Sequence, residues 1–409
     1  VKRATVVIAG GGAAGFFAAC VLAESGVLRD ILILEKDREV LQKVRISGGG
    51  RCNVTHACFD PFALVGNYPR GQKEMLAPFH QFQPNDMMNW LANHGISLKT
   101  EKDGRVFPVT DSSQTIIGCF LEICKKNHVK VHTREKVEAI RQQESGWELH
   151  TNAGIYFARY AILAGGSSQS LWNTLQQLGY SLIDPVPSLF TFKIPDKALQ
   201  ELAGTSIPHV KVGIPKLKYR TEGPLLITHW GLSGPAVLKL SAIACRAIHH
   251  GTLPFELQVN WVNQDRETTS MILRQTREKQ PKKLAGNENP FGLPQRLWQY
   301  LCKKSKVDPS IQWAHINSTS QSLLTDNCCM FSLQVTGKST NKEEFVTAGG
   351  ISLKEIHFKS FESKRFPGLY LAGEILDIDG LTGGYNFQAA WTGAFLSAQD
   401  IIHKIKSES

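Results

Sequence analysis

No stretch of this 409-residue chain approaches the roughly 20 consecutive apolar residues that a helix needs to cross a bilayer. A membrane-spanning helix is therefore not expected. The start, "VKRATVVIAG", runs straight into a strand-like segment without the pattern of a signal peptide. The nine cysteines are odd in number and include no C-x-x-C pair, which argues against a disulfide framework or a zinc ribbon. No His/Cys/Asp spacing suits a metal, so no metal site is expected. There is no G-x-x-x-x-G-K-[ST] loop, which removes the commonest mononucleotide site. The expectation is a reduced, soluble, cytoplasmic protein.

What is present is ordinary globular composition, 42% hydrophobic and 20% charged, in a chain long enough for two or three domains. The formal charge is +10, and it is unevenly spread. Between 190 and 340 there are 19 Lys and Arg against 10 Asp and Glu, whereas the rest of the chain holds 27 against 26. The basic excess is either a solvated surface or a face toward a polyanion.

"ATVVIAGGGAAGFFAACVLAESG" begins as a β-branched run and becomes helix-like after its glycines. Gly10, Gly12 and Gly15 fit G-x-G-x-x-G between a strand and a helix. The first permits a tight turn, the second lets the backbone approach a pyrophosphate, and the third lets helix and strand pack closely. Phosphates would rest on the positive helix end at Ala13 and Ala14. "DILILEK" supplies a second strand ending in Glu35, whose carboxylate can accept ribose hydroxyls, followed by Lys36. No arginine replaces that acid, which disfavours a 2′-phosphorylated nucleotide.

Glycine-edged strand ends recur far away. "YAILAGGSSQS" closes on Ala164, Gly165 and Gly166, and "GLYLAGEILDIDGLTGGYNFQAAW" carries Gly373–Glu374 and then Gly383–Gly384 opening a helix. Any one pair reads as a simple turn. Together with the fingerprint they suit a long dinucleotide, FAD, better than NAD. The strand pair "KVHTREKVEAIRQQESGWELHTNAG" fits the small antiparallel addition that carries an adenine, near Val137. Absence of a second G-x-G-x-x-G leaves no dedicated nicotinamide domain. NAD(P)H, as a transient electron donor, would enter the same cleft as the substrate in ping-pong fashion.

"SGGGRCN", residues 47 to 53, gives up backbone rigidity at Gly48, Gly49 and Gly50, which is useful where the chain turns sharply or lies against something. This motif, with "GRVFPVTD", "EGPLLITHWGLSGPA", "VTAGGI" and "ESKRFPGLYLAGEILDIDGLTGGYN", resembles the bacterial FAD flavoproteins of the aminoacetone-oxidase-like type. That family is similar to, and includes, a bile-acid enone reductase and ribosomal-RNA dihydrouridine synthases. The resemblance runs from Ala4 to about Ala398 and is weakest between about 262 and 325.

The resemblance implies an α/β fold: a Rossmann-type FAD-binding domain, split in sequence, with an inserted β-barrel-like domain and a small helical domain. The expected bounds are 1–187 and 346–409 for the FAD domain, 188–262 and 321–345 for the barrel-like insert, and 263–320 for the basic helical segment. It further implies that Ser47–Asn53 lies along the ribitol toward the flavin, with Arg51 and Asn53 as donors. Lys43 joins the cofactor-binding set, and Glu374 matches the position that accepts ribitol hydroxyls. The helix start at Gly384, Tyr385 and Asn386 would aim N–H groups at the ring edge that gathers negative charge on reduction.

The cysteines give little chemistry by spacing. Five residues separate Cys52 from Cys58, one more than in redox-active flavin disulfides, and Cys119 and Cys124 diverge on an apolar helix. Cys328–Cys329 reads as buried packing. Cys52 adjoins an arginine and could donate a proton to a carbon receiving hydride, or it is a small buried hydrophobe. His229 and Ser233, in "THWGLSGPA", either meet substrate or brace a turn; the resemblance favours the substrate pocket.

Three functions remain. The first is reduction of a uracil C=C in ribosomal RNA, for which the basic 190–340 insert would neutralise phosphates and the base would leave its stack. The second is oxidation of a small amine or reduction of a small enone. The third is FAD binding without turnover. Oligomeric state is not legible.

Overall fold

In the computed structural model, which describes residues 1–339 and 346–408, the opening β-branched run becomes the strand Lys2–Ala9. Its last four residues are fully buried. Burial on both faces is what the centre of a parallel sheet requires. It pairs in parallel with Ile31–Leu34 on one side, Val6 opposite Ile31, and with Gly154–Leu163 on the other, Ile8 opposite Ile162. Lys130–His132 extends the sheet beyond Ile31–Leu34. Leu369–Leu371 extends it beside the end of Gly154–Leu163, Leu369 opposite Ala161. The sheet is thus assembled from both ends of the chain. The first half of Gly154–Leu163 also carries the antiparallel meander Val137–Gln143 and Gly146–Thr151.

The helix Ala13–Glu24 is buried from Ala14 to Ala23 because it packs between the sheet and the closing helix Tyr385–Glu408. Ala14 and Ala18 on one, with Ala390 and Ala394 on the other, keep the two close. Phe17 anchors the layer, with its ring edge-on to Trp90 at 5.0 Å and Trp391 at 5.6 Å. Burying each such ring contributes roughly 1.5–3 kcal/mol. A second core, including Trp147, Trp172, Leu369 and Leu396, fills the opposite side of the sheet.

The described residues divide into two units, 1–186 with 346–408, and 187–339. In the second, seven antiparallel strands are ordered Phe331–Val335, Phe255–Asn260, Ser206–Ile214, Tyr219–Thr228, Gly231–Ser233, Thr191–Lys193 and Gly337–Ser339. Alternation within Phe255–Asn260 buries Phe255, Leu257 and Val259 on one face. The helices Arg266–Lys279, Gln295–Lys304 and Ser318–Cys329 follow within the same unit. The last runs across position 320, where the sequence reading ends the helical segment. Asn317 caps it through the Ser320 N–H, and it continues unbroken to the strand at Phe331. Residues 340–345, read as the end of the barrel-like insert, lie outside the described residues.

Among the described residues no helix is long and apolar enough to cross a membrane. None of their His, Cys, Asp and Glu side chains gather in a group of three or more that could hold a metal ion.

Candidate functional site

The turn after the first strand is built from glycines with different tasks. Gly10 has φ +119°, and a Cβ there would lie 2.4 Å from the Ala164 carbonyl oxygen. A Cβ on Gly15 would lie 2.0 Å from the Gly10 carbonyl oxygen, so Gly15 serves helix packing. At Gly12 nothing of the protein lies within 4 Å of such a Cβ, and the residue opens onto a cavity. Gly12 is the N-cap of Ala13–Glu24, with no side-chain cap and no acidic residue in the first turn. That leaves positive N–H ends facing open space, the arrangement that receives an anion.

The cavity has a volume of about 540 Å³, within the range of cofactor sites. Its wall comes from four separate parts of the chain. Gly10, Gly12, Ala13 and Ala14 meet Glu35, Lys36 and Lys43 from beyond the second strand. Ser47, Gly48, Gly49 and Asn53 join them, as do Ala164, Gly165 and Gly166. Gly373, Glu374, Gly383, Gly384 and Asn386 complete the wall from the C-terminal part. A smaller cavity of about 30 Å³ shares Gly10, Glu35, Lys36 and Gly165 with it and is lined by Val137.

Glu35, Glu374 and Lys43 on the wall are already engaged. Glu35 accepts the N–H of Gly11 at 2.7 Å and that of Asp37 at 2.9 Å. Glu374 accepts the Thr347 N–H at 2.8 Å and pairs with Lys43. The residues of "SGGGRCN" divide. Gly48, Gly49 and Gly50 all have positive φ, at 59°, 70° and 84°. A Cβ on Gly48 would lie 2.9 Å from the Phe107 ring, whereas Gly49 has no protein atom within 4 Å of that position. The glycine run is pressed against Phe107 at one residue and open at the next.

Asn53, with its amide oriented to satisfy its neighbours, accepts the Gly384 N–H at 3.0 Å and donates to the Thr55 carbonyl at 3.1 Å. It ties this loop to the turn before the closing helix. A Cβ on Gly384 would lie 2.6 Å from the Thr55 carbonyl. Asn386 brackets the same turn by bonding both the N–H and the carbonyl of Gly380.

Several expected site residues do not line this cavity. Arg51 turns away, lying over the Phe107 ring at 4.0 Å and pairing with Glu101 at 2.7 Å. Its guanidinium is spent on bracing the loop, which corrects the expectation of a donor to the ligand. Gly50 shares that turn, and Gly15 lies elsewhere, packed beneath the Gly10 turn. Tyr385 is built into the protein behind the wall, its carbonyl accepting the Tyr68 hydroxyl at 2.6 Å and its ring stacked on His56 at 4.7 Å.

Cys52 is fully buried in the core beside Val54, and burial pushes its thiol up to about 12. Unlike its neighbour Asn53, Cys52 does not line the cavity. None of the nine cysteines is held in a disulfide, and Cys20 Sγ approaches Cys124 Sγ at 3.9 Å, not Cys119. His229 and Ser233 belong to the second unit. There His229 is exposed, and Ser233 Oγ accepts the Thr191 hydroxyl at 2.9 Å.

Sequence reasoning missed Gly11, Gln42, Val346, Ile378, Leu381 and Thr382 on the cavity wall. The neighbouring motifs "GGG", "VTAGG" and "GLTGG" were available as signals for four of these. Ile378 and Gln42 carry none. Sequence reasoning also missed the buried pair Arg70–Asp379, which joins the strap before Gly383 to the N-terminal part.

Comparison with known proteins agrees with this geometry. A family profile described as the HI0933-like protein Rossmann domain matches residues 4–400. The ribosomal RNA dihydrouridine synthase of Escherichia coli K12 is 30% identical, covering 98% of this chain and 98% of that protein. The 3-dehydro-bile acid delta(4,6)-reductase of Clostridium scindens is 25% identical over 96% of this chain and 97% of that one. The fold is similar to that of the 3-ketosteroid-delta4-(5alpha)-dehydrogenase of Rhodococcus jostii RHA1. There the TM-score is 0.52 at 15% identity, covering 99% of this chain and 97% of that one.

Proposed function

The chain belongs to the HI0933-like family, and from that membership we propose an FAD-dependent reductase that converts a uracil of ribosomal RNA to dihydrouridine with hydride from NAD(P)H. The observation that carries this reading is the match, over 98% of both chains, to a ribosomal RNA dihydrouridine synthase. The cavity suits FAD. Gly12, Ala13 and Ala14 would hold the pyrophosphate on uncapped helix N–H groups, and Glu35 and Val137 the adenosine end. Lys43 and Glu374 would face the ribitol.

When bound, FAD supplies two-electron hydride chemistry between a nicotinamide and a carbon acceptor. The chain's own contribution is placement. Asn53 takes the Gly384 N–H and Asn386 brackets Gly380, which fixes the Gly383–Gly384 turn; the N–H groups that follow, at Tyr385 and Asn386, would then be the fixed donors toward the ring edge. Such fixed donors stabilise charge that develops on a neighbouring ring without reorganising. Because Cys52 is buried and does not line the cavity, this reading gives the proton for carbon to another group. His229 and Ser233 remain the candidates for meeting the substrate, and His229 is exposed.

A second reading, reduction of a small enone, is favoured by the bile-acid reductase relative. Both relatives' names describe adding hydrogen to a carbon–carbon double bond, so the two readings share chemistry and differ in substrate size. Incubating the FAD-loaded protein with NADH or NADPH and protein-free ribosomal RNA, then digesting to nucleosides for mass spectrometry, tests the first. A dihydrouridine peak dependent on protein and nicotinamide is expected. Its absence, with turnover of a steroid enone instead, would establish the second.

A further inference from the structure

The basic excess of the second unit is not uniformly available, and this separates cations that hold the protein together from those that do not. Arg266 pairs with Asp326 at 2.6 Å and Lys304 with Asp196 at 2.7 Å. Arg277 bonds Gln321 and the Ala314 carbonyl, and Arg296 the Glu201 carbonyl. Four of the ten cations between 263 and 306 are therefore structural, while others such as Lys282 and Lys283 are exposed and form no ion pair among the described residues.

The hairpin formed by Ser206–Ile214 and Tyr219–Thr228 differs in that none of its cations is so engaged and that acids are missing along the chain around its tip. From 202 to 221 the chain has no acidic residue, yet it carries Lys211, Lys216, Lys218 and Arg220. All four are exposed, and none forms an ion pair among the described residues. Glu222 is the nearest acid in register, and it stands opposite Lys211, away from the tip. The tip is rigid. Pro215–Leu217 forms a 3-10 turn closed by the Lys218 N–H on the Pro215 carbonyl at 3.1 Å. Gly213 stands opposite Arg220, where a Cβ would lie 3.1 Å from Arg220 Cγ. The arginine stem thus lies across the bare glycine. Tyr219, between Lys218 and Arg220, is 38% exposed.

We propose that this hairpin tip is the surface by which the protein grips RNA, its cations on consecutive phosphates and the Tyr219 ring against an unstacked base. This rests on the reading of ribosomal RNA as substrate. Unpaired, pre-ordered cations neutralise phosphates without first breaking an internal pair. An exposed aromatic among them is the pattern that binds single-stranded segments. An anionic membrane fits less well, since the one large aliphatic side chain of the turn, Leu217, is half-buried and only the small Pro215 ring is exposed.

The test measures fluorescence anisotropy of labelled transcripts tiling ribosomal RNA, over a salt series, with the FAD-loaded protein. K216E/K218E/R220E should weaken binding at least tenfold at 0.1 M salt and flatten the log–log salt slope by about 2 to 3, at roughly 0.7–0.9 per lost contact. Tyr219→Ala should weaken binding at least fivefold with the slope unchanged, and Tyr219→Phe should restore it. K282E/K283E, which reverses two exposed cations instead of three, should bind nearly as wild type. Flavin content and melting temperature report that each variant is folded.

Wild-type binding that the hairpin variants retain, or that K282E/K283E loses equally, overturns the hairpin while leaving the RNA reading intact. A wild-type protein with no salt-dependent RNA affinity overturns both. Tight binding of anionic phosphatidylglycerol vesicles that the triple variant loses, with RNA affinity unchanged, assigns the tip to a membrane and also overturns the proposal.

Discussion

Glu35 accepts the N–H of Gly11 across the first turn at 2.7 Å, so the acid that faces the cavity also holds the glycine loop in place. Removing it should act twice, on the ligand and on the loop. Glu35→Ala is expected to weaken FAD binding by roughly 1–3 kcal/mol, the worth of hydrogen bonds to a charged acceptor. Glu35→Gln, which keeps one acceptor oxygen for Gly11, should lose less. Flavin fluorescence titration of the apoprotein measures both. Equal affinity in Glu35→Ala and wild type would mean the adenosine end is held elsewhere.

The glycines of the first turn should separate folding from binding. A Cβ at Gly12 meets nothing in the protein, so Gly12→Val should fold and melt close to wild type as apoprotein. It should nevertheless purify colourless, because the branched side chain fills the space that the pyrophosphate needs. Gly15→Ala drives a methyl to within 2.0 Å of the Gly10 carbonyl and should lower the melting temperature of the apoprotein itself. A yellow Gly12→Val, or a colourless variant that is also unfolded, would contradict this division of labour.

The contrast marks what a sequence can and cannot reveal. The demand on Gly10 and Gly15 is local, set by a turn and a helix a few residues long, and it is readable from spacing. The glycine run at 48–50 announces close approach, but its neighbour at Gly48 is Phe107, 59 positions away, and no local pattern names it. Arg51 has the chemistry of a ligand donor. Only the register that brings Glu101 within 2.7 Å decides that it braces the loop instead. Net charge is likewise legible as a sum. Which cations are neutralised depends on acids such as Asp196, over a hundred residues from Lys304.

That last pair makes a prediction about the helical segment. Asp196 is partly buried, which alone would raise its carboxyl. Lys304, the Leu199 N–H and the Tyr300 hydroxyl outweigh that and hold it below the usual range. Its stabilisation is present above the unfolded value near 3.8 and is lost as pH falls through the lower folded value. Lys304→Ala should cost about 1 kcal/mol at pH 7, since the lysine is largely exposed. It should cost progressively less in urea melts taken below pH 4. A constant penalty at all pH values would show that the lysine acts through packing alone.

Cys52 gives the opposite pH dependence. Burial holds its thiol at about 12, against an ordinary value of 9.0. Between those values the unfolded chain releases the proton and the folded one keeps it. The folded state then binds more protons, and stability falls as pH rises, by up to about 1.4 kcal/mol per pH unit for one such group. Cys302 at about 12 and Cys119 at about 11 add to the same alkaline loss. Cys52→Ala should cost about 1–2 kcal/mol at pH 7 by leaving a small void. That penalty should shrink steadily from pH 9 upward, because the variant no longer has this proton to lose. Iodoacetamide at pH 8 should modify the half-exposed Cys58 in the native protein and reach Cys52 only on unfolding. Rapid native labelling of Cys52, or a Cys52→Ala penalty that does not shrink above pH 9, would mean that the thiol is open to solvent, and would return it to the reckoning as an acid.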